Sequence, residues 1–144
     1  MMLTNLNDAL ESNIPMVFIT EGEVDNVALS VFEKINLNKM VSSQLVDVPS
    51  KEYSRVVPGI IEHMLTGINK SIVLIEGIEI LFDRSLAIDP VRLLRKCSLN
   101  KKLIVLWPGR QAATGLIYAV PNHPEYRTYK KSDLTEIIFL ENTV

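Results

Sequence analysis

The chain has one cysteine, Cys97. An internal disulfide and a cysteine-rich zinc site are therefore excluded, and the helix-like surroundings of Cys97 predict a buried, inert thiol rather than a nucleophile. Long apolar runs are missing too: none approaches the ~18–20 residues that cross a bilayer. Residues 1–13 carry Asp8 and Glu11 where a secretory signal has basic residues. Together these features predict a cytoplasmic protein with no membrane partner. Histidine is scarce, and neither His63 nor His123 has a second histidine or a cysteine at ligand spacing, so no metal site is expected.

Apolar residues, in contrast, make up 47% of the 144 positions. That is enough for one domain with a sizeable core, and residues 1–144 read as a single unit without repeats, low-complexity tracts or a linker. The net charge of −2 is unevenly spread. Residues 1–83 hold five Lys/Arg against twelve Asp/Glu, net −7, and residues 84–144 hold ten against five, net +5. Such asymmetry marks either a basic partner-binding face or two ordinary solvated faces.

The organising stretch is Ile72-Val73-Leu74-Ile75, an apolar run without polar alternation that ends on Glu76. Runs of this kind are strands covered on both faces. Residues 103–107 repeat the pattern one helix-length later, and the two predict neighbouring strands of a parallel sheet. Before them, Leu3, Leu6 and Leu10 predict a short helix over 4–12, and residues 16–20 a buried strand. Val27, Ala28, Val31, Phe32 and Ile35 predict one face of a helix, and residues 45–48 a second strand ended by Pro49. A helix through Ile61, Met64, Leu65 and Ile68 is expected to start or kink at Pro58 and stop near Gly67. Asp89-Pro90 has the cap-then-proline order of a helix start. Val91, Leu94 and Cys97 then face the core, with Arg92, Arg95 and Lys96 outward. Residues 116–120 and 136–140 predict two last strands separated by a polar stretch, and Pro108-Gly109 a turn. Alternation of strands and helices predicts a three-layer α/β domain, a parallel sheet flanked by helices.

Strand, loop and helix at 16–35, followed by an apolar strand ending in an acid, form the skeleton of a P-loop NTPase. That machinery needs glycines to cradle phosphates, a lysine on the β/γ-phosphates and a Ser/Thr on Mg²⁺. Here Asn26 and Val27 stand at the lysine and Ser/Thr positions, and Gly22 alone remains of the glycines. Glu21, Glu23 and Asp25 would repel a polyphosphate, which offsets the ~0.3–1 kcal/mol that a helix N-terminus offers an anion. The phosphate loop is degenerate. No catalytic residue, cofactor or metal is assigned; Glu76 is a Walker-B-like acid expected to bond locally. The basic set Arg92, Arg95, Lys96, Lys101, Lys102, Arg127, Lys130 and Lys131 suits an acidic protein partner or a phosphate backbone.

Trp107-Pro108-Gly109, then Leu116-Ile117-Tyr118-Ala119, and Pro121-Asn122-His123-Pro124-Glu125-Tyr126-Arg127 resemble the BrxF family, small P-loop-containing proteins of type 3 BREX bacteriophage-defence systems. The likeness covers about residues 72–140. It implies a P-loop NTPase-like fold and work beside a large ATPase, a DNA methyltransferase and an alkaline-phosphatase-like component. The sequence departs from a nucleotide-binding loop at Glu23, Asp25, Asn26 and Val27, which leaves an interaction role. The expectation is a non-catalytic NTPase-like subunit that contacts larger defence proteins. The alternatives are an active small ATPase with an unconventional nucleotide site, or an accessory module with weak DNA contacts. For the motif residues themselves, Trp107 also reads as a core cap, and His123-Pro124-Glu125-Tyr126 as a rigid turn.

Overall fold

A computed structural model describes residues 13–20, 33–99, 101–112, 115–134 and 137–141. The expected helix over 4–12, and residues 21–32 of the expected loop and helix, lie outside them. Three apolar runs make the sheet's centre: β1 (Met16–Thr20), β3 (Ile72–Glu76) and β4 (Lys102–Trp107). With β2 (Glu33–Asn36) and the C-terminal strand Ile137–Glu141, they form a five-stranded sheet. Every pairing in it is parallel. The expected neighbours do pair, Val73 opposite Leu103 and Ile75 opposite Val105.

Alternation along the central strands splits their side chains between two faces. Met16, Phe18, Val73, Ile75, Leu103, Val105 and Trp107 join one core cluster with Leu37, Val41, Val57, Ile61 and Leu94 from the helices. Val17, Ile19, Leu74 and Ile104 point the other way and are equally buried, outside that cluster. Burial on both faces is what an uninterrupted apolar strand requires.

Helix α1 (Leu37–Gln44) follows β2 directly. Two expectations are corrected here. Ile35 lies in a strand rather than on a helix, because Glu33–Asn36 pairs with β3, Ile35 opposite Ile75. Residues 45–48 are a turn rather than a strand: Leu37, Val41 and Leu45 are buried at helical spacing, while Val46 is 78% exposed. Asn36 caps the helix, its side chain accepting from the Lys39 N–H at 3.1 Å. Helix α2 (Tyr53–Thr66) begins five residues before Pro58, not at it, and ends at Gly67. Helix α3 (Pro90–Cys97) starts as expected, with Asp89 accepting from the Arg92 N–H at 3.3 Å and proline in the first turn.

The larger departure lies after β4. A second, antiparallel sheet joins β5 (Arg110–Ala112), β6 (Gly115–Tyr118) and β7 (Arg127–Lys130). The strand expected over 116–120 belongs to this sheet and ends where Ala119 turns to a positive φ of 64°. The polar stretch after it holds β7, whose only deeply buried side chain is Tyr129. The chain then enters β8 (Ile137–Glu141), beside β1. Among the described residues, no helix is long and apolar enough to cross a membrane.

Candidate functional site

The strand order β2-β3-β4-β1-β8 carries a reversal. From β1 the chain passes to the far edge, returns through β2, β3 and β4, and then steps over β1 to β8. Open α/β sheets bind ligands outside the carboxyl ends of strands at such a switch point. The reversal lies at β1, between β4 and β8; the residues that follow β1 are outside those described, and the carboxyl ends of β4 and then β3 are the described part of that rim.

At the end of β3, Glu76 faces Lys34 of the neighbouring strand, Oε2 to Nζ 3.6 Å, with side chains 34% and 44% exposed. Two pleat positions separate Lys34 from Asn36, the partner of Glu76 in the strand register, so both charges stand on one sheet face. Gly77 follows with φ +66°, and a Cβ there would stand 2.5 Å from Asn36 Oδ1. Asn38 secures what comes next: its N–H donates to the Gly77 carbonyl at 2.8 Å, its Nδ2 to Glu79 at 2.5 Å, and its Oδ1 accepts from the Ile80 N–H at 2.8 Å. In place of the local hydrogen bond expected of Glu76, the side chain has this 3.6 Å ion-pair contact with the neighbouring strand. Sequence reasoning does not reach the Asn38 clamp on the segment after Glu76; the Asn36-to-Lys39 cap spacing is the one local signal near it.

At the end of β4, Trp107 is 3% exposed and donates its Nε1–H to the Ile117 carbonyl at 3.0 Å. It stacks on Phe18 at 5.5 Å and meets Phe82 and Tyr129 edge-on at 5.5 and 6.0 Å. Phe82 in turn stacks on Tyr118 at 3.7 Å. Pro108 is half-buried, and Gly109 lies so close to the Ile117 carbonyl that no Cβ fits. Trp107, Pro108 and Gly109 thus join β4 to the antiparallel sheet, the core-cap role. Burial, then Glu125 and Glu79, push the Tyr118 phenol above its ordinary value. The segment His123-Pro124-Glu125-Tyr126 is a turn held by its backbone and the His123 imidazole: His123 N–H to the Val120 carbonyl 2.8 Å, Glu125 N–H to His123 Nδ1 3.0 Å, and Tyr126 N–H to the His123 carbonyl 3.0 Å.

The basic residues do not form one face. Arg92, Arg95 and Arg127 line a cleft of about 520 Å³ between α3 and β7, together with Asp89, Val91, Thr128, Tyr129 and Asp133. Tyr129 donates its hydroxyl proton to Asp89 Oδ1 at 2.8 Å, Arg127 lies 3.6 Å from the same oxygen, and Arg95 Nη2 donates to the Asp133 carbonyl at 3.0 Å. Burial above all, with the bond to Asp89, pushes the Tyr129 phenol far up. Lys96 and Lys101 instead line a separate groove between α2 and α3 with Glu62 and Cys97. Lys96 Nζ is 3.0 Å from Glu62 Oε1, an ion-pair contact without hydrogen-bond geometry. Lys101 donates to the carbonyls of Ile68 and Lys70 at 2.5 and 2.8 Å, closing the end of α2. Lys102 opens β4, and burial lowers its pKa. Lys130 and Lys131 are exposed at the end of β7 and the turn after it.

The phosphate-loop positions Gly22, Glu23, Asp25, Asn26 and Val27 lie outside the described residues. Among the described residues, no group of three His, Cys, Asp or Glu side chains is placed to hold a metal ion. No protein-family model matches the chain, and searches of curated proteins and of solved structures find no significant match.

Proposed function

We propose that this chain is a non-catalytic, P-loop NTPase-like subunit of a bacterial antiphage defence system of the BREX type. It works by contacting larger components, such as the system's ATPase, methyltransferase or phosphatase-like protein. The link to the system rests on the resemblance of Trp107-Pro108-Gly109 and His123-Pro124-Glu125-Tyr126 to the BrxF family. The NTPase-like part is supported by the parallel sheet, its reversal beside β1, and a strand that ends in an acid at Glu76.

The observation that carries the non-catalytic reading is the Lys34–Glu76 pair. An acid serving Mg²⁺ or an attacking water has to turn its charge toward them. Glu76 turns it toward a lysine on the neighbouring strand, and residues 21–27 supply carboxylates where phosphate binding needs a lysine. Calorimetric titration with ATP is expected to show no Mg²⁺-dependent binding. A micromolar, Mg²⁺-dependent dissociation constant would sink the reading and favour an active ATPase with an unconventional site. Co-expression with the larger proteins encoded beside it is expected to give co-elution, and elution alone from all of them would remove the docking role.

A further inference from the structure

The cleft between α3 and β7 brings together three arginines that the sequence keeps apart: Arg92 and Arg95 one turn apart on a helix, and Arg127 on a strand of the other sheet. Two aspartates share the cleft, so its formal charge is +1. Both aspartates already have partners. Asp89 Oδ1 accepts from the Arg92 N–H and the Tyr129 hydroxyl and lies against Arg127. Asp133 Oδ2 accepts from the Lys130 N–H at 3.1 Å. Two of the guanidiniums are less occupied, whereas Arg127 Nη1 also donates to the Tyr129 hydroxyl at 3.4 Å. Arg92 has no side-chain partner among the described residues, and Arg95 makes one bond, to a carbonyl oxygen. Tyr129, 8% exposed, links Asp89 at the start of α3 to Arg127 on its own strand.

From this arrangement we infer that the cleft binds a phosphomonoester, a terminal phosphate dianion carried by a small molecule or by the end of a nucleic-acid strand. Each guanidinium presents a planar fork of donors that fits two oxygens at once. A terminal phosphate offers three acceptor oxygens and close to two charges near neutral pH, enough to engage several forks. A carboxylate offers two oxygens and one charge, and an internal phosphodiester likewise has one charge and two free oxygens. The cleft's size lies within the ~300–1,000 Å³ of small-ligand sites. Arg127 also lines the smaller neighbouring cleft of Pro124, Glu125 and Tyr126, so the rest of the ligand has room beyond the phosphate. Binding needs no Mg²⁺, which separates it from the nucleotide test above.

The test is calorimetry at low salt without metal, using inorganic phosphate, adenosine monophosphate and adenosine. Single-stranded oligonucleotides with and without a terminal phosphate form the second arm. Phosphate and the monophosphate are expected to bind and adenosine not; stronger binding of the phosphorylated strand would extend the site to strand ends. Arg92→Gln, which removes no side-chain contact among the described residues, should weaken binding about tenfold or more, since bonds between charged groups are the strong ones. Lys51→Gln, an equal charge loss at an exposed turn, should leave it unchanged. The inference is overturned if phosphate gives no heat at millimolar concentration. It is also overturned if Arg92→Gln binds as the native chain does, or if phosphorylated and unphosphorylated strands and adenosine all bind alike.

Discussion

Cys97 illustrates how neighbours set the chemistry of a side chain. It sits where α3 meets the groove beside α2, and burial first, then Glu62, push its thiol from 9.0 up to about 11, with Lys96 opposing. Two pKa units mean roughly a hundredfold less thiolate, and thiolate is the reactive form. Alkylation near pH ~8 should be about a hundredfold slower in the folded chain than after unfolding; equal rates would disprove the burial. The same shift fixes a direction in stability. A group whose folded pKa is raised contributes fully below its unfolded value and loses that contribution as pH rises through the folded one. For Cys97 the loss falls between 9.0 and about 11. Tyr129, also raised, extends it upward from 10.0. Cys97→Ala should therefore flatten the alkaline decline in melting temperature. Gly109 is a different kind of constraint: in Gly109→Ala the new methyl meets the Ile117 carbonyl, and a loss of about 2 kcal/mol or more is expected in thermal unfolding.

Among the elements, the junction of β2, α1 and the segment after β3 depends most on individual polar contacts. Asn38 ties three groups of that segment at once, and the Ile80 N–H it satisfies is partly buried. Asn38→Ala leaves that donor unpaired, at a cost of ~1–3 kcal/mol. Asn36→Ala removes a helix cap, typically ~1 kcal/mol. Denaturant titration of both variants gives the ranking, and a larger effect at Asn36 would count against the clamp. Helix α3 has an equivalent pivot in Asp89, which caps its first turn and receives Tyr129 from β7. One carboxylate thus fixes both walls of the arginine cleft.

Among the described residues, the basic residues of the second half do not gather on one continuous face. Lys96 is answered by Glu62 from the acidic half, and Lys101 is turned into the end of α2. That leaves fewer cations for a long polyanion than the sequence count suggests. Duplex DNA should accordingly bind weakly and without sequence preference, log affinity falling by about 0.9 per log unit of salt for each phosphate neutralised. Anisotropy over a salt series reads the slope, and tight binding to one sequence at physiological salt would reveal a base-reading surface.

Some elements are dictated by their own residues. The apolar runs of β1, β3 and β4 have no stable place except inside a covered sheet, and Asp89-Pro90 starts a helix from local backbone geometry alone. Others form only through contacts distant in the chain. Glu33–Asn36 and Arg127–Lys130 have too few apolar residues to mark a strand, and become strands because β3 and β6 offer them hydrogen-bonding edges. Residues 45–48 look like a strand until Leu37 and Val41 claim Leu45 for a helical face. The arginine cleft belongs with these: no local pattern joins Arg92 to Arg127, because the two meet only when the antiparallel sheet packs beside α3.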